Sequence, residues 1–149
     1  MTKDDLKWLA GFMDGEGTFT VVQSNTPGPL PYFTPLVTVS NTDKNILCWI
    51  RRTLSIHNRF RPRKLVKNCK RLYELVYACD NAREFITQIL PYLKMKQKVA
   101  REVLNFPKRH CIKANVLGWG GTKPDLKTLK IQLAAVKRIR AYNKRGTKH

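Results

Sequence analysis

Residues 9–17 read Leu9-Ala10-Gly11-Phe12-Met13-Asp14-Gly15-Glu16-Gly17, an apolar run that ends in two carboxylates threaded between glycines. A helix that delivers a carboxylate into a glycine-rich turn presents a metal ligand with little steric cover. The same residues also suit an ordinary helix C-terminus with two polar stop residues, and the motif alone does not separate these readings. Other chemistries lack their residues. Cys48, Cys69, Cys79 and Cys111 form no C-x-x-C pair, and His57, His110 and His149 are equally scattered, so the spacing of a zinc site or a histidine-based nuclease is missing. No Ser-His or Cys-His pairing stands out. Free thiols are the expectation, which suits a reducing intracellular compartment, either a prokaryotic cytoplasm or an organelle matrix.

The chain around this motif has 149 residues and a formal net charge of +19. That length suits one domain with a real core. The charge points first to nucleic acid, where neutralising phosphates releases counterions. A membrane surface is the weaker alternative, because the longest apolar run near the start, Trp8 to Met13, is too short for a span or a secretory segment.

The elements that must position the acidic turn follow from capping signals and periodicity. Thr2 to Asp5 is a capping box, so a first helix runs from about Lys3 to Met13. On a helical wheel of about 100° per residue, Trp8, Leu9, Phe12 and Met13 cluster on one side, with Ala10 and Gly11 forming a small-residue surface beside them. A helix apolar around most of its circumference asks for cover on both sides, from a partner or from its own chain. After Gly17 the period becomes two. Thr18, Thr20, Val22, Ser24 and Thr26 alternate with Phe19, Val21 and Gln23, and Phe33 to Ser40 alternates again beyond a Pro-rich turn at 27–31, with Leu36 on the polar side. These are the strands of a hairpin.

Asn41-Thr42-Asp43 supplies caps for a second helix bearing Ile46, Leu47, Trp49, Ile50 and Leu54. A third strand spans Asn58 to Val66 and a fourth Lys70 to Cys79. Between Arg51 and Arg71 there is no acidic residue, and Arg59, Arg61 and Arg63 share a face if the segment is extended. Such a row repels itself unless an anion lies across it; a phosphate-bearing ligand is the economical explanation and a solvated basic surface the alternative. Helices follow: one opened by Asp80 with Phe85, Ile86, Ile89 and Leu90 inside, one burying Val99, Ala100, Val103 and Leu104, and a last one capped at 122–125 with Leu126, Leu129, Leu133, Val136 and Ile139. Gly118-Trp119-Gly120-Gly121 punctuates the chain before it. The expected fold is α+β, four antiparallel strands with a polar, basic face and helices on the other.

In this order the residues resemble the LAGLIDADG homing endonucleases. Leu9 to Gly17 is similar to their motif, the αββαββα succession is theirs, and Pro91 to Lys98 is similar to the segment that supplies their active-site lysine; the resemblance covers roughly residues 3 to 106, leaving a basic C-terminal extension over 107–149 of a single domain. It implies a site-specific endonuclease using Mg²⁺, or Mn²⁺ or Ca²⁺ in its place, with Glu16 and the carbonyl of Gly15 as metal ligands, Lys96 near the attacking water, Asp43 lining the same pocket and Asp14 structural. The motif ends in Glu where Asp is usual, and Leu47 stands where some relatives place an arginine, a role left to Arg51 or Arg52 or to none. With one motif copy, the resemblance implies a homodimer packed through Ala10 and Gly11 on a pseudo-palindromic double-stranded DNA site. The strands would then direct Thr20, Val22, Ser24, Thr26, Thr34, Thr38, Ser40, Arg59, Arg61, Arg63, Lys70 and Glu74 toward bases and phosphates. The alternative is a maturase for a host intron RNA, or a non-cutting DNA-binding regulator of the same fold; no membrane partner is expected.

Overall fold

The computed structural model describes residues 2–24, 31–63, 67, 69–108, 111–112, 123–124 and 126–144, of which 24, 111, 112, 123 and 124 by backbone alone. The elements run α1 (Lys3–Glu16), β1 (Gly17–Ser24), β2 (Tyr32–Asn41), α2 (Lys44–Leu54), β3 (Arg59–Pro62), β4 (Tyr73–Ala78), α3 (Cys79–Ile89), a single 3₁₀ turn (Leu90–Tyr92), α4 (Gln97–Leu104), β5 (Cys111–Ile112), β6 (Lys123–Pro124) and α5 (Leu126–Asn143). The αββαββα order is present, with α4 and α5 added.

Thr2 and Asp5 form the expected reciprocal cap, the Asp5 N–H donating to Thr2 Oγ1 at 3.1 Å and the Thr2 N–H to Asp5 Oδ2 at 2.8 Å. The far end of α1 goes beyond expectation, continuing through Asp14, Gly15 and Glu16 rather than unwinding at Met13. Gly17 then turns the chain into β1 with no intervening loop. A Cβ there would sit 2.7 Å from the Met13 carbonyl oxygen and collide with the Met13 thioether, so only glycine permits this corner.

The four long strands form one antiparallel sheet in the order β1-β2-β4-β3. Its register sorts the side chains by parity. Phe19, Val21, Phe33, Val37, Val39, Leu75 and Tyr77 point to the helix side and are buried with Leu9 and Met13 of α1, Phe85, Ile86 and Ile89 of α3, and Val136 and Ile139 of α5. Each such side chain contributes about 1.5–3 kcal/mol by leaving water. β3 is an edge strand, which is where Pro62 can be tolerated.

Several expectations need correction. α1 was assigned its inner side from a helical wheel that could not distinguish two apolar flanks. Leu9, Ala10, Met13 and Asp14 are the buried residues, whereas Trp8 is 46% exposed and Phe12 only half-buried. Ala10, expected at a helix–helix surface, is 0% exposed within its own core; Gly11 is exposed, with open space over its Cα. β4 begins at Tyr73, so Lys70 lies in the connection before it, and β3 stops at Pro62, although the Arg63 N–H still donates to the Leu72 carbonyl at 2.8 Å. In α5, Leu133 is exposed while Gln132 is buried, its Nε2 donating to the Pro107 carbonyl at 2.9 Å. The two-residue pair β5–β6 is too short to leave a periodic signal. Thr26, most of the turn at 27–31, the third strand's end at 64–66, the glycine-rich stretch at 118–121 and the cap residues Thr122 and Asp125 lie outside the described residues.

Candidate active site and nucleic-acid interface

The C-terminal end of a helix exposes carbonyls without intrahelical donors and carries partial negative charge. α1 has no basic residue in its last turn to answer this. The answer comes from the turn ahead of α4, about 80 residues away. Lys96 Nζ donates to the carbonyls of Met13 (3.2 Å), Gly15 (3.2 Å) and Gly17 (2.6 Å). Asp14 returns the favour from the helix, its two oxygens accepting from the N–H groups of Lys94 (2.7 Å) and Lys96 (2.9 Å). The turn and the helix end thus hold each other at five points, which is why α1 runs on to Glu16.

The electrostatics of this clamp follow from burial and proximity. Burial lowers the pKa of the Lys96 ammonium, an effect only partly offset by the attraction of Asp14 and Glu16. For Asp14, burial works to raise the pKa, but the backbone N–H groups of Lys94, Lys96 and Met95 and the Lys96 charge outweigh it and leave the carboxyl below its ordinary value. Asp14 is therefore a structural carboxylate. Glu16 is different: exposed, at the last position of α1, with no hydrogen bond or ion pair among the described residues.

Glu16 opens on a cleft of about 660 Å³ that also receives Lys96, Lys98, Tyr142, Asn143 and Lys144. Tyr142 and Asn143 end α5 and Lys144 follows it, a neighbourhood that sequence reasoning missed, since nothing in the helix's periodicity says where its terminus docks. Asn143 fixes it, Nδ2 donating to the Phe19 carbonyl of β1 at 2.9 Å. Asp43 is the N-cap of α2, its Oδ1 accepting from the Asn45 N–H at 2.7 Å, and it is not among the residues lining this cleft. Leu47 is fully buried, and Arg51 and Arg52 sit in the last turn of α2, where Arg51 lies close enough to the buried Tyr77 hydroxyl to affect it electrostatically.

As to donor chemistry, an exposed carboxylate and an adjacent backbone carbonyl are hard oxygen ligands of the type that Mg²⁺ or Ca²⁺ takes. The Gly15 carbonyl already accepts from Lys96, so that ligand would be shared with or released from the ammonium. No group of three or more His, Cys, Asp or Glu side chains gathers among the described residues, so one chain offers only part of a coordination sphere.

The other face of the sheet begins at the same corner. Cross-strand pairing places Thr18, Thr38, Val76 and Arg59 in one row, Ser40, Glu74 and Arg61 in a second, Thr20, Leu36 and Ala78 in a third, and Val22 with Thr34 in a fourth. Of the residues expected on a reading face, Thr20, Val22, Thr34, Thr38, Ser40, Arg59, Arg61 and Glu74 are thus brought together; the Ser24 backbone pairs with Tyr32 at the end of β1, Arg63 follows β3, and Lys70 is exposed in the connection. Glu74 does not stand free on this face. It is only 4% exposed, and its Oε2 accepts from Arg61 Nε at 2.8 Å and pairs with Arg61 Nη2 at 2.7 Å, while Oε1 lies 3.4 Å from Arg63 Nη2. The anion expected across the arginine row is, for two of its three members, the chain's own carboxylate. Arg59 has no such partner among the described residues.

The sequence matches no protein-family model and no curated protein sequence. The structure, by contrast, is similar to solved structures. The homing endonuclease I-CvuI, in complex with DNA in the presence of Mg and with that DNA not cleaved, is 19% identical, with a TM-score of 0.67 over 99% of this chain and 87% of that one. The archaeal intron-encoded homing endonuclease I-Vdi141I complexed with DNA is 14% identical, with a TM-score of 0.64 over 97% and 87%. The LAGLIDADG homing endonuclease I-GzeII in complex with its DNA target is 16% identical, with a TM-score of 0.61 over 91% and 43%. These likenesses show the LAGLIDADG homing-endonuclease fold.

Proposed function

We propose that this chain, built on the LAGLIDADG homing-endonuclease fold, is a site-specific DNA endonuclease that makes metal-dependent double-strand breaks as a homodimer. The observation that carries the reading is Glu16: an exposed carboxylate without a partner among the described residues, delivered by a clamped helix end to the corner where a basic sheet face begins. The solved structures of similar fold are DNA complexes, which supports a DNA target.

Glu16, joined by the carbonyl of Gly15, would hold the divalent cation, with phosphate oxygens and water completing the set. When bound, the metal neutralises charge developing on the phosphoryl group and lowers the pKa of a coordinated water. The chain's own part is to orient: Asp14 and Lys96 fix the direction in which Glu16 leaves the helix, and Gly17 keeps the strand close behind it. One acidic turn serves one strand, so two strands call for two copies. The outer side of α1 suits that pairing, because Trp8, Gly11 and Gly15 are exposed and both glycines have open space above them. A two-fold axis along this side would bring both acidic turns together.

The test is cleavage of DNA carrying the intron-insertion site that surrounds this reading frame, with Mg²⁺ or with EDTA, alongside hydrodynamic mass. Double-strand cuts that need the metal, from a particle of twice the chain mass, are expected. Binding and intron splicing without any cutting would make the chain a maturase acting on host intron RNA, and full activity from a monomer would remove the two-fold arrangement.

On the reading face, Glu74 limits where Arg61 and Arg63 can go. A guanidinium held in one orientation discriminates a guanine better than a mobile one, and a good bidentate pair is worth about 1–3 kcal/mol against a wrong base. Glu74→Gln breaks both ion pairs and removes one negative charge, raising the net charge by one. Its affinity for random duplex is expected to rise while the ratio of target to random binding falls about tenfold. An unchanged ratio in a competition titration would show that Glu74 serves only the stability of the sheet.

A further inference from the structure

Among the described residues the cleft beside Glu16 is lined by that one carboxylate and by Lys96, Lys98 and Lys144, and although Asp14 also answers Lys96 from behind, the lysines outnumber the acids. These lysines are not equivalent. An ammonium has three N–H donors, and those of Lys96 are spent on the carbonyls of Met13, Gly15 and Gly17. Lys98, in the first turn of α4, and Lys144, immediately after α5, have no hydrogen bond or ion pair from their side chains among the described residues. The place of Lys144 is nevertheless fixed. Asn143 is tied to the Phe19 carbonyl on β1, and the Lys144 N–H donates to the Ala141 carbonyl at 3.3 Å. No residue of α2 is among those lining the cleft; Leu47 is buried and Arg51 lies close enough to Tyr77 to act on it electrostatically.

From this we infer that Lys98 and Lys144 form a phosphate-binding pair beside the acidic turn, assembled by the docking of the α5 terminus onto β1 through Asn143, and that its ligand is a phosphodiester of the DNA backbone. The inference rests on the nuclease reading and names the residues that grip the strand Glu16 faces. Two ammonium groups from separate elements suit a phosphodiester, which offers charged acceptor oxygens to more than one side and makes no demand for a planar fork. The strip continues away from Glu16. A neighbouring groove of about 370 Å³ between α4 and α5 shares Lys98 and Tyr142 with the cleft and adds Arg101, one turn beyond Lys98, whereas Arg138 in that groove is already paired with Glu102 at 3.0 Å. A backbone leaving the cleft thus meets a further cation, one without a side-chain partner among the described residues.

The test compares wild type with Lys98→Ala/Lys144→Ala, Lys144→Arg and Asn143→Ala, each first checked for a native melt. Duplex affinity is measured by fluorescence anisotropy across a salt series in EDTA, where nothing is cut. The double variant should lose about 0.9 from the slope of log K against log salt for each lost contact, with its ratio of target to random binding unchanged, because the sheet face sets that ratio. Single-turnover cleavage of bound DNA should fall about tenfold to a hundredfold. Asn143→Ala, which removes no charge, should slow cleavage in the same direction, and Lys144→Arg should retain most of the rate. A wild-type slope and rate in the double variant would overturn the pair. If the wild type binds duplex but never cuts, the slope still decides: a reduced slope keeps the pair and removes only the nuclease, and an unchanged slope removes the pair.

Discussion

Glu16→Gln is expected to lower the rate of cleavage by about a thousandfold while leaving affinity for target DNA within a few-fold of wild type. The substitution is nearly isosteric and falls on an exposed side chain that makes no hydrogen bond or ion pair among the described residues, so the fold should not register it. What it removes is the negative charge that, in the proposed function, holds the cation at the helix end, and with it several kcal/mol of transition-state stabilisation, each 1.4 kcal/mol being a factor of ten. A second measurement keeps the interpretation honest. Titration of Mn²⁺ or Ca²⁺ into the protein–DNA complex, followed calorimetrically, should show weaker uptake in the variant. Normal cleavage by Glu16→Gln would exclude Glu16 as the ligand. Normal metal uptake with lost cleavage would instead make Glu16 a group that acts on water.

The largest effect on stability should come from the neighbouring acid. Asp14→Ala deprives the N–H groups of Lys94 and Lys96 of their acceptor and leaves the Lys96 ammonium without its nearest buried counter-charge. Hydrogen bonds to a charged group contribute about 1.5–3 kcal/mol each, so a loss of about 3–5 kcal/mol is expected, a large share of the total for a domain of this size. In a thermal melt this corresponds to a fall of about 10 °C. Asp14→Asn, which keeps one acceptor oxygen, should lie between. The effect also has a pH signature. The folded pKa of Asp14 lies below its unfolded value near 3.8, so its contribution is complete above that value and is lost as pH falls through the folded pKa. The melting difference between wild type and Asp14→Ala should therefore be constant around neutrality and narrow below about pH 4. A variant that melts with wild type at neutral pH would show that the turn is held by Lys96 alone.

How much of this was legible in the sequence depends on the range of the interaction concerned. The caps were readable because they are local: Thr2 with Asp5, and Asp43 at the head of α2, are satisfied within three residues. Strand parity was readable because hydroxyl and apolar residues alternate, so the face carrying Thr20, Thr34, Thr38 and Ser40 followed without knowledge of the partner strands. The inner side of α1 was not, because Trp8 and Phe12 are as apolar as Leu9 and Met13; it is the polar Asp14, drawn inward by backbone donors of a distant turn, that helps fix the rotation. Glu74 is similar. Read on its own strand it is one more polar residue facing outward, and only the pairing of β3 with β4 sets it under two arginines. The end of α5 is tied to β1 across 124 positions by the Asn143 amide, for which periodicity has no signal.

The clamp between α1 and the turn ahead of α4 has one more consequence, in time rather than in space. Asp14 and its donors are separated by 80 and 82 positions. Contacts so distant in sequence form late, after the hairpins and local helices have paid most of the entropy of closing the chain. During synthesis the acidic turn emerges about 80 residues ahead of its donors, and it cannot be held in its final form until Lys96 has left the ribosome. A nascent chain of this protein is therefore expected to form its β1–β2 hairpin well before it fixes the acidic turn on which the proposed cleavage depends.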